Sequence, residues 1–128
     1  DLYLRNRVRR RILPLLRKEN PNIEETLSLT AARAGQASEA LEVLAERWLK
    51  VRGRGKRLAL ENLRRQPPGL QAYILEAWLK GRSGRPQSWS ELLPRLLAAL
   101  AAGKSLELPL KGGRLKLDRR NLAWTGGH

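Results

Sequence analysis

The apolar period of this chain changes near Gly103, and that change constrains its fold more than any other feature. Before the glycine, apolar residues recur at spacings of three and four, the repeat of a helix with one buried face. After it, Leu106, Leu108 and Leu110 alternate with Glu107 and Pro109, and Leu115 and Leu117 alternate with Lys116 and Asp118. A two-residue period belongs to a strand. The sequence therefore predicts a mainly α protein: a helical bundle with a long second helix and a small C-terminal β-hairpin or three-stranded element. Gly112-Gly113 is the turn of the hairpin, and Asn121 to Thr125 is the candidate third strand.

The helices have readable ends. Leu4, Val8, Ile12 and Leu15 form one stripe of a first helix running from about Leu2 to Glu19. Pro14 removes a backbone donor and disfavours the α region for Leu13, so a kink or break is expected there. Asn20-Pro21-Asn22 opens the second helix, with Glu24 and Glu25 against its positive end. Leu27, Ala31, Ala34, Ser38, Leu41, Ala45 and Trp48 make a heptad-like seam whose small residues allow another helix to approach. That helix reaches about Arg52, roughly 45 Å at 1.5 Å per residue, and Gly53 and Gly55 stop it. Arg57 to Leu60 fits either a short strand or the start of a helix. A third helix carries Leu70, Tyr73, Ile74, Ala77 and Trp78 on one face and ends near Gly81. Gly81 to Pro86 is a basic loop. Ser88 to Glu91 matches a capping box for a last helix, whose core face is Leu92, Leu93, Leu96, Leu97 and Leu100. The expected organisation is a single domain: a linker helix over 1–19, a bundle over 20–103 and a β-element over 104–126.

Composition limits the chemistry. The chain has 128 residues, no cysteine, no methionine and one histidine, His128. Disulfides, thiolate zinc sites and a cysteine nucleophile are excluded, and no Ser-His-Asp triad or histidine metal cluster assembles within the chain. The aspartates are Asp1 and Asp118 only, and the glutamates form no metal motif, so no catalytic and no metal residues are assigned. The absence of cysteine is compatible with a reducing cytoplasm. No apolar run approaches the ~20 residues that span a bilayer. The start at Asp1, with no methionine, reads as an end set by cloning or proteolysis.

The formal net charge is +14. Such a balance favours a polyanionic partner, RNA or DNA first; a thermophile-like arginine-rich surface accounts for the same composition. The candidate contacts, whether to nucleic acid or between domains, are Arg5, Asn6, Arg7, Arg9 and Arg10. Secondary basic clusters lie at Arg52, Arg54, Lys56 and Arg57, and at Lys111, Arg114, Lys116 and Arg119. Clusters far apart in sequence make one surface only if the fold joins them. Trp48 and Trp78 lie on apolar helix faces and read as core, as does Tyr73. Trp89 and Trp124 are open between core packing and base stacking.

The run Tyr3-Leu4-Arg5-Asn6-Arg7-Val8-Arg9, then Ile12-Leu13-Pro14-Leu15-Leu16, then Asn20-Pro21, resembles the tRNA(Ile)-lysidine synthetase family just after its ATP-binding domain. That family has Tyr-x-Arg-Asn-x-x-Arg, a Pro-Leu-Leu run, and a proline opening a long helix. The resemblance continues through Thr30 to Arg33, the helix ending at Trp48, Ile74 to Leu79, and Leu122 to Trp124. It implies an accessory, tRNA-holding domain of a ligase that adenylates the wobble cytidine of an isoleucine tRNA and joins lysine to it. The resemblance also implies partners: tRNA, and an N-terminal catalytic domain absent from this chain. ATP, with Mg, belongs to that domain. The family's Ser-Gly-Gly-x-Asp-Ser phosphate loop is not in this sequence, so the chain alone is expected to be non-catalytic and to hold no cofactor. Lys111-Gly112-Gly113-Arg114 imitates a phosphate loop but reads as a hairpin turn. The alternative function is a stand-alone basic helical module that binds nucleic acid or another protein.

Overall fold

The structure, a computed structural model, describes residues 2–53, 55–83 and 89–126. Ser88 of the expected capping box, Arg54, Arg85 and His128 lie outside them. Two compact units divide the chain, residues 1–39 and 40–128.

In the first unit, α1 (Leu2–Arg7) runs into a π-helical turn (Val8–Ile12), which runs into α2 (Leu13–Glu19). Here the expected break at Pro14 takes a specific form. Pro14 has no N–H to give the Arg10 carbonyl, and the chain widens one turn earlier, where the Leu13 N–H donates to the Val8 carbonyl. The stripe Leu4, Val8, Ile12 and Leu15 is periodic but not buried: these side chains are 36–64% exposed. Asn20 accepts the Asn22 N–H at 3.0 Å on its side chain, and the Ile23 N–H donates to the Asn20 carbonyl. These bonds turn the chain into α3 (Ile23–Arg52), whose first intrahelical acceptor is the Asn22 carbonyl. An ion pair joins Arg17 to Glu24. The small-residue seam of α3 is uncovered at Leu27, Ala31 and Ala34. It becomes half-buried at Ser38 and Leu41, and fully buried at Ala45.

The second unit holds the core. After Gly53 the chain forms β1 (Arg57–Ala59) and α4 (Leu60–Arg64), so both readings of Arg57 to Leu60 are realised in succession. α5 (Pro68–Ser83) and α6 (Trp89–Ala102) pack against each other. α5 runs past Gly81, so the start of the expected basic loop is helical. α6 ends in a Schellman motif: Gly103 sits at φ +66°, and the Lys104 N–H donates to the Ala99 carbonyl at 3.0 Å.

The expected β-element gains a member. Strands β2 (Leu106–Leu110), β3 (Gly113–Leu117) and β4 (Asn121–Thr125) join β1 in an antiparallel sheet of order β1-β4-β3-β2. Hairpin β2–β3 closes through Lys111-Gly112, with Gly112 at φ +87°. Leu58, Leu115, Leu117, Leu122 and Trp124 point into the core beside Leu63, Ile74, Trp78, Leu79, Leu96 and Leu100. In a two-residue hairpin the residues flanking the turn bond to each other, so Glu107 and Pro109 direct their backbone outward. Pro109 thus sits where a donor would otherwise be open, which protects the edge strand from pairing.

Arg82 ties the end of α5 to the loop after α3. Its guanidinium lies 3.9 Å from the Trp78 ring centroid, donates to the Trp78 carbonyl at 2.7 Å, and also donates to the Gly55 carbonyl. Partial burial lowers its pKa from the usual arginine value. This arginine is structural.

Candidate nucleic-acid interface

Two basic surfaces emerge, one in each unit. The first lies on the helix of residues 2–19. Tyr3, Asn6, Arg7, Arg10 and Arg11 line one shallow depression, because residues three and four apart share a helix face. The Arg7 guanidinium stands 5.9 Å from the Tyr3 ring centroid. Of the residues nominated from sequence, this brings together Asn6, Arg7 and Arg10. Arg5 and Arg9 are exposed but do not line the depression. Tyr3 and Arg11 do line it and were missed as contacts. The spacing Tyr3, Arg7, Arg11 beside Asn6, Arg10 was the signal that identifies them.

The second surface is the solvent side of the sheet. Opposed residues in an antiparallel pair project to the same face. β1 pairs Arg57 with Ala123, and β3 pairs Lys116 with the same Ala123. Arg57 and Lys116 therefore lie in one row, two strand spacings or about 10 Å apart. Glu107 continues the row on β2. Its carboxylate accepts from Arg114 at 2.9 Å, an exposed pair that leaves Lys116 facing solvent. The turn after β3 carries Arg119 and Arg120, and the hairpin tip carries Lys111, all exposed. Arg57 and Lys116 are 59 residues apart in sequence (116 − 57) and share one face through strand pairing.

Not every nominated cation is equally available. The Lys56 ammonium donates to the Gly126 carbonyl at 3.1 Å. Arg52 ends α3 and is exposed. Arg64 donates to the Arg119 carbonyl at 2.8 Å, bracing the turn from α4. The same turn is held by Asp118, whose carboxylate accepts the Arg120 and Asn121 N–H groups at 2.7 Å each. Those two bonds hold the Asp118 pKa below the usual carboxylate value, with Arg57 and Arg120 adding a smaller pull in the same direction. Acid in the second unit gathers elsewhere, in a groove lined by Glu42, Glu46, Glu76, Tyr73 and Lys80.

Aromatic side chains are withheld from the sheet surface. Trp78, Trp89 and Trp124 are buried, and Trp48 and Tyr73 are half-buried against the core. The four indole N–H groups are buried without hydrogen-bond partners. Base stacking by Trp89 or Trp124 is thereby excluded in this fold.

Lys111 to Arg114 is a hairpin turn followed by a strand. A Cβ on Gly113 would stand 2.6 Å from the Trp124 ring, so this glycine admits strand packing. These residues do not fit an ATP phosphate chain.

Fold and charge together define a basic, mainly helical module carrying a small antiparallel sheet. No family model matches the sequence. Individual relatives do. A tRNA(Ile)-lysidine synthase of Polaromonas naphthalenivorans is 30% identical over 117 residues, covering 90% of this chain and 35% of that protein. One from Parasynechococcus marenigrum is 28% identical over 123 residues, 94% of this chain and 36% of the relative. One from Francisella tularensis is 31% identical over 78 residues, 61% of this chain and 20% of the relative. The chain belongs to the tRNA(Ile)-lysidine synthase family, and it spans about a third or less of the length of these curated relatives.

Proposed function

We propose that this chain is the tRNA-holding accessory module of a ligase that joins lysine to the wobble cytidine of an isoleucine tRNA at the expense of ATP. The catalytic step belongs to a domain outside this sequence, and the module grips RNA phosphates. The observation that carries this reading is the row in which β1 sets Arg57 beside Lys116 across Ala123. Cations presented on a rigid sheet, without stacking aromatics, suit the regularly spaced phosphates of a folded RNA. Such contacts orient the RNA and leave sequence unread.

Charge reversal tests it. The variant Arg57→Glu with Lys116→Glu is expected to bind unmodified isoleucine tRNA at least tenfold more weakly than the parent chain at low salt, with unchanged far-UV circular dichroism. Equal affinities would remove the sheet face from the interface.

One observation favours a second reading for the leading helix. Leu4, Val8, Ile12 and Leu15 are substantially exposed, and an apolar stripe of that extent suits a protein surface. In that reading Arg5 and Arg9 pair with carboxylates of the catalytic domain, and the helix is an interdomain strut.

A further inference from the structure

We propose that the depression formed by Tyr3, Asn6, Arg7, Arg10 and Arg11 takes one unpaired nucleotide of an RNA strand. The inference deepens the RNA-holding reading above and rests on it. Tyr3 is 70% exposed, whereas Trp48 and Tyr73 are half-buried and Trp78, Trp89 and Trp124 are buried. Among the described residues, Tyr3 is thus the one aromatic ring presented to solvent. It stands in the depression that also gathers an amide and three guanidiniums.

That combination has a specific chemistry. An exposed ring gives a base a stacking surface, which every base accepts and which a paired base, already stacked, does not need. The Arg7 guanidinium, 5.9 Å from the ring centroid, holds a cation beside the stacked base. The Asn6 amide offers a donor and an acceptor to a base edge freed from pairing. Arg7 and Arg11, one turn apart, repel each other. No carboxylate pairs with Arg7, Arg10 or Arg11 among the described residues, so a phosphate on either side of the base supplies the missing counter-charge. The apolar stripe Leu4, Val8, Ile12 and Leu15 belongs to a different set of helix positions.

The experiment titrates the full 128-residue chain with two labelled probes at one low salt concentration. One is an unstructured RNA hexamer, the other a blunt RNA duplex. Tyr3→Ala is expected to weaken hexamer binding about 5- to 150-fold, the range that loss of one stacked base produces. Duplex affinity is expected to stay within about twofold. Tyr3→Phe keeps the ring and is expected to retain hexamer affinity, and circular dichroism verifies that both variants keep their helix. A Tyr3→Ala variant that binds the hexamer as the parent does overturns the inference and assigns this face to protein contact. Duplex binding that still responds to Arg57→Gln with Lys116→Gln would leave the broader RNA reading intact in that case. Equal losses on both probes also overturn the inference. If the parent chain binds neither probe, the RNA-holding reading falls, and this inference with it.

Discussion

The helix face around Tyr3 and the solvent face of the sheet share one sign of charge and differ in how they are made. The helix face comes from nine consecutive residues, Tyr3 to Arg11, and its spacing alone defines it. The sheet face comes from β1 and from the β2–β4 meander, which only strand pairing brings together. One includes an exposed ring and an amide. The other offers cations without an exposed aromatic. The helix belongs to a unit with no fully buried side chain among the described residues, whereas the sheet closes over a core. Charge alone therefore does not distinguish the two faces. Geometry and the placement of aromatic groups supply that distinction.

The stability contrast gives the largest expected effect. Trp78 is 2% exposed and lies beneath Arg82. Trp78→Ala is expected to cost about 3–5 kcal/mol, the range for removing a large core aromatic. Leu4→Ala, on a side chain that is 50% exposed, is expected to change stability by less than about 0.5 kcal/mol in this chain. Urea midpoints of both variants check the pair. Comparable losses would mean that the leading helix packs into a core after all.

Legibility from sequence follows the same contrast. The helix face could be listed residue by residue, because a helix maps spacing onto geometry. Even so, Tyr3 and Arg11 are absent from the contacts that charge and spacing first pick out. The hairpin and third strand were readable from alternation and from Gly112-Gly113. The fourth strand was not, since Arg57 to Ala59 is too short for periodicity to separate a strand from a helix start. Its partner, β4, is more than sixty residues away, and no local pattern encodes such a pairing. The joined cation row was illegible for that reason. The spacing of the apolar stripe identifies the first helix, and the stripe is substantially exposed. Periodicity states which face wants a partner, and the partner is not among the described residues.

A smaller effect concerns the turn that carries Arg119 and Arg120. The Asp118 carboxylate has a lowered pKa in the folded chain because it accepts two backbone N–H bonds. A depressed folded pKa gives stability that is fully present above the unfolded value, about 3.9. That stability is lost as pH falls through the folded value. The melting-temperature gap between the parent and Asp118→Asn is expected to be largest near neutrality and to shrink below about pH 4. A gap that stays constant across that window would show that the carboxylate charge is not what holds the turn.

We propose that the module grips RNA through phosphate contacts from its exposed cations. The most direct measurement is the affinity of the full chain for isoleucine tRNA across a salt series. Log affinity is expected to fall linearly with log salt, with a slope of about −0.9 for each phosphate neutralised on a duplex. Arg57→Gln with Lys116→Gln removes two such contacts and is expected to make the slope shallower by about 1.8, twice that value. A salt-independent affinity, an unchanged slope in the double variant, or no binding at low salt would contradict the account.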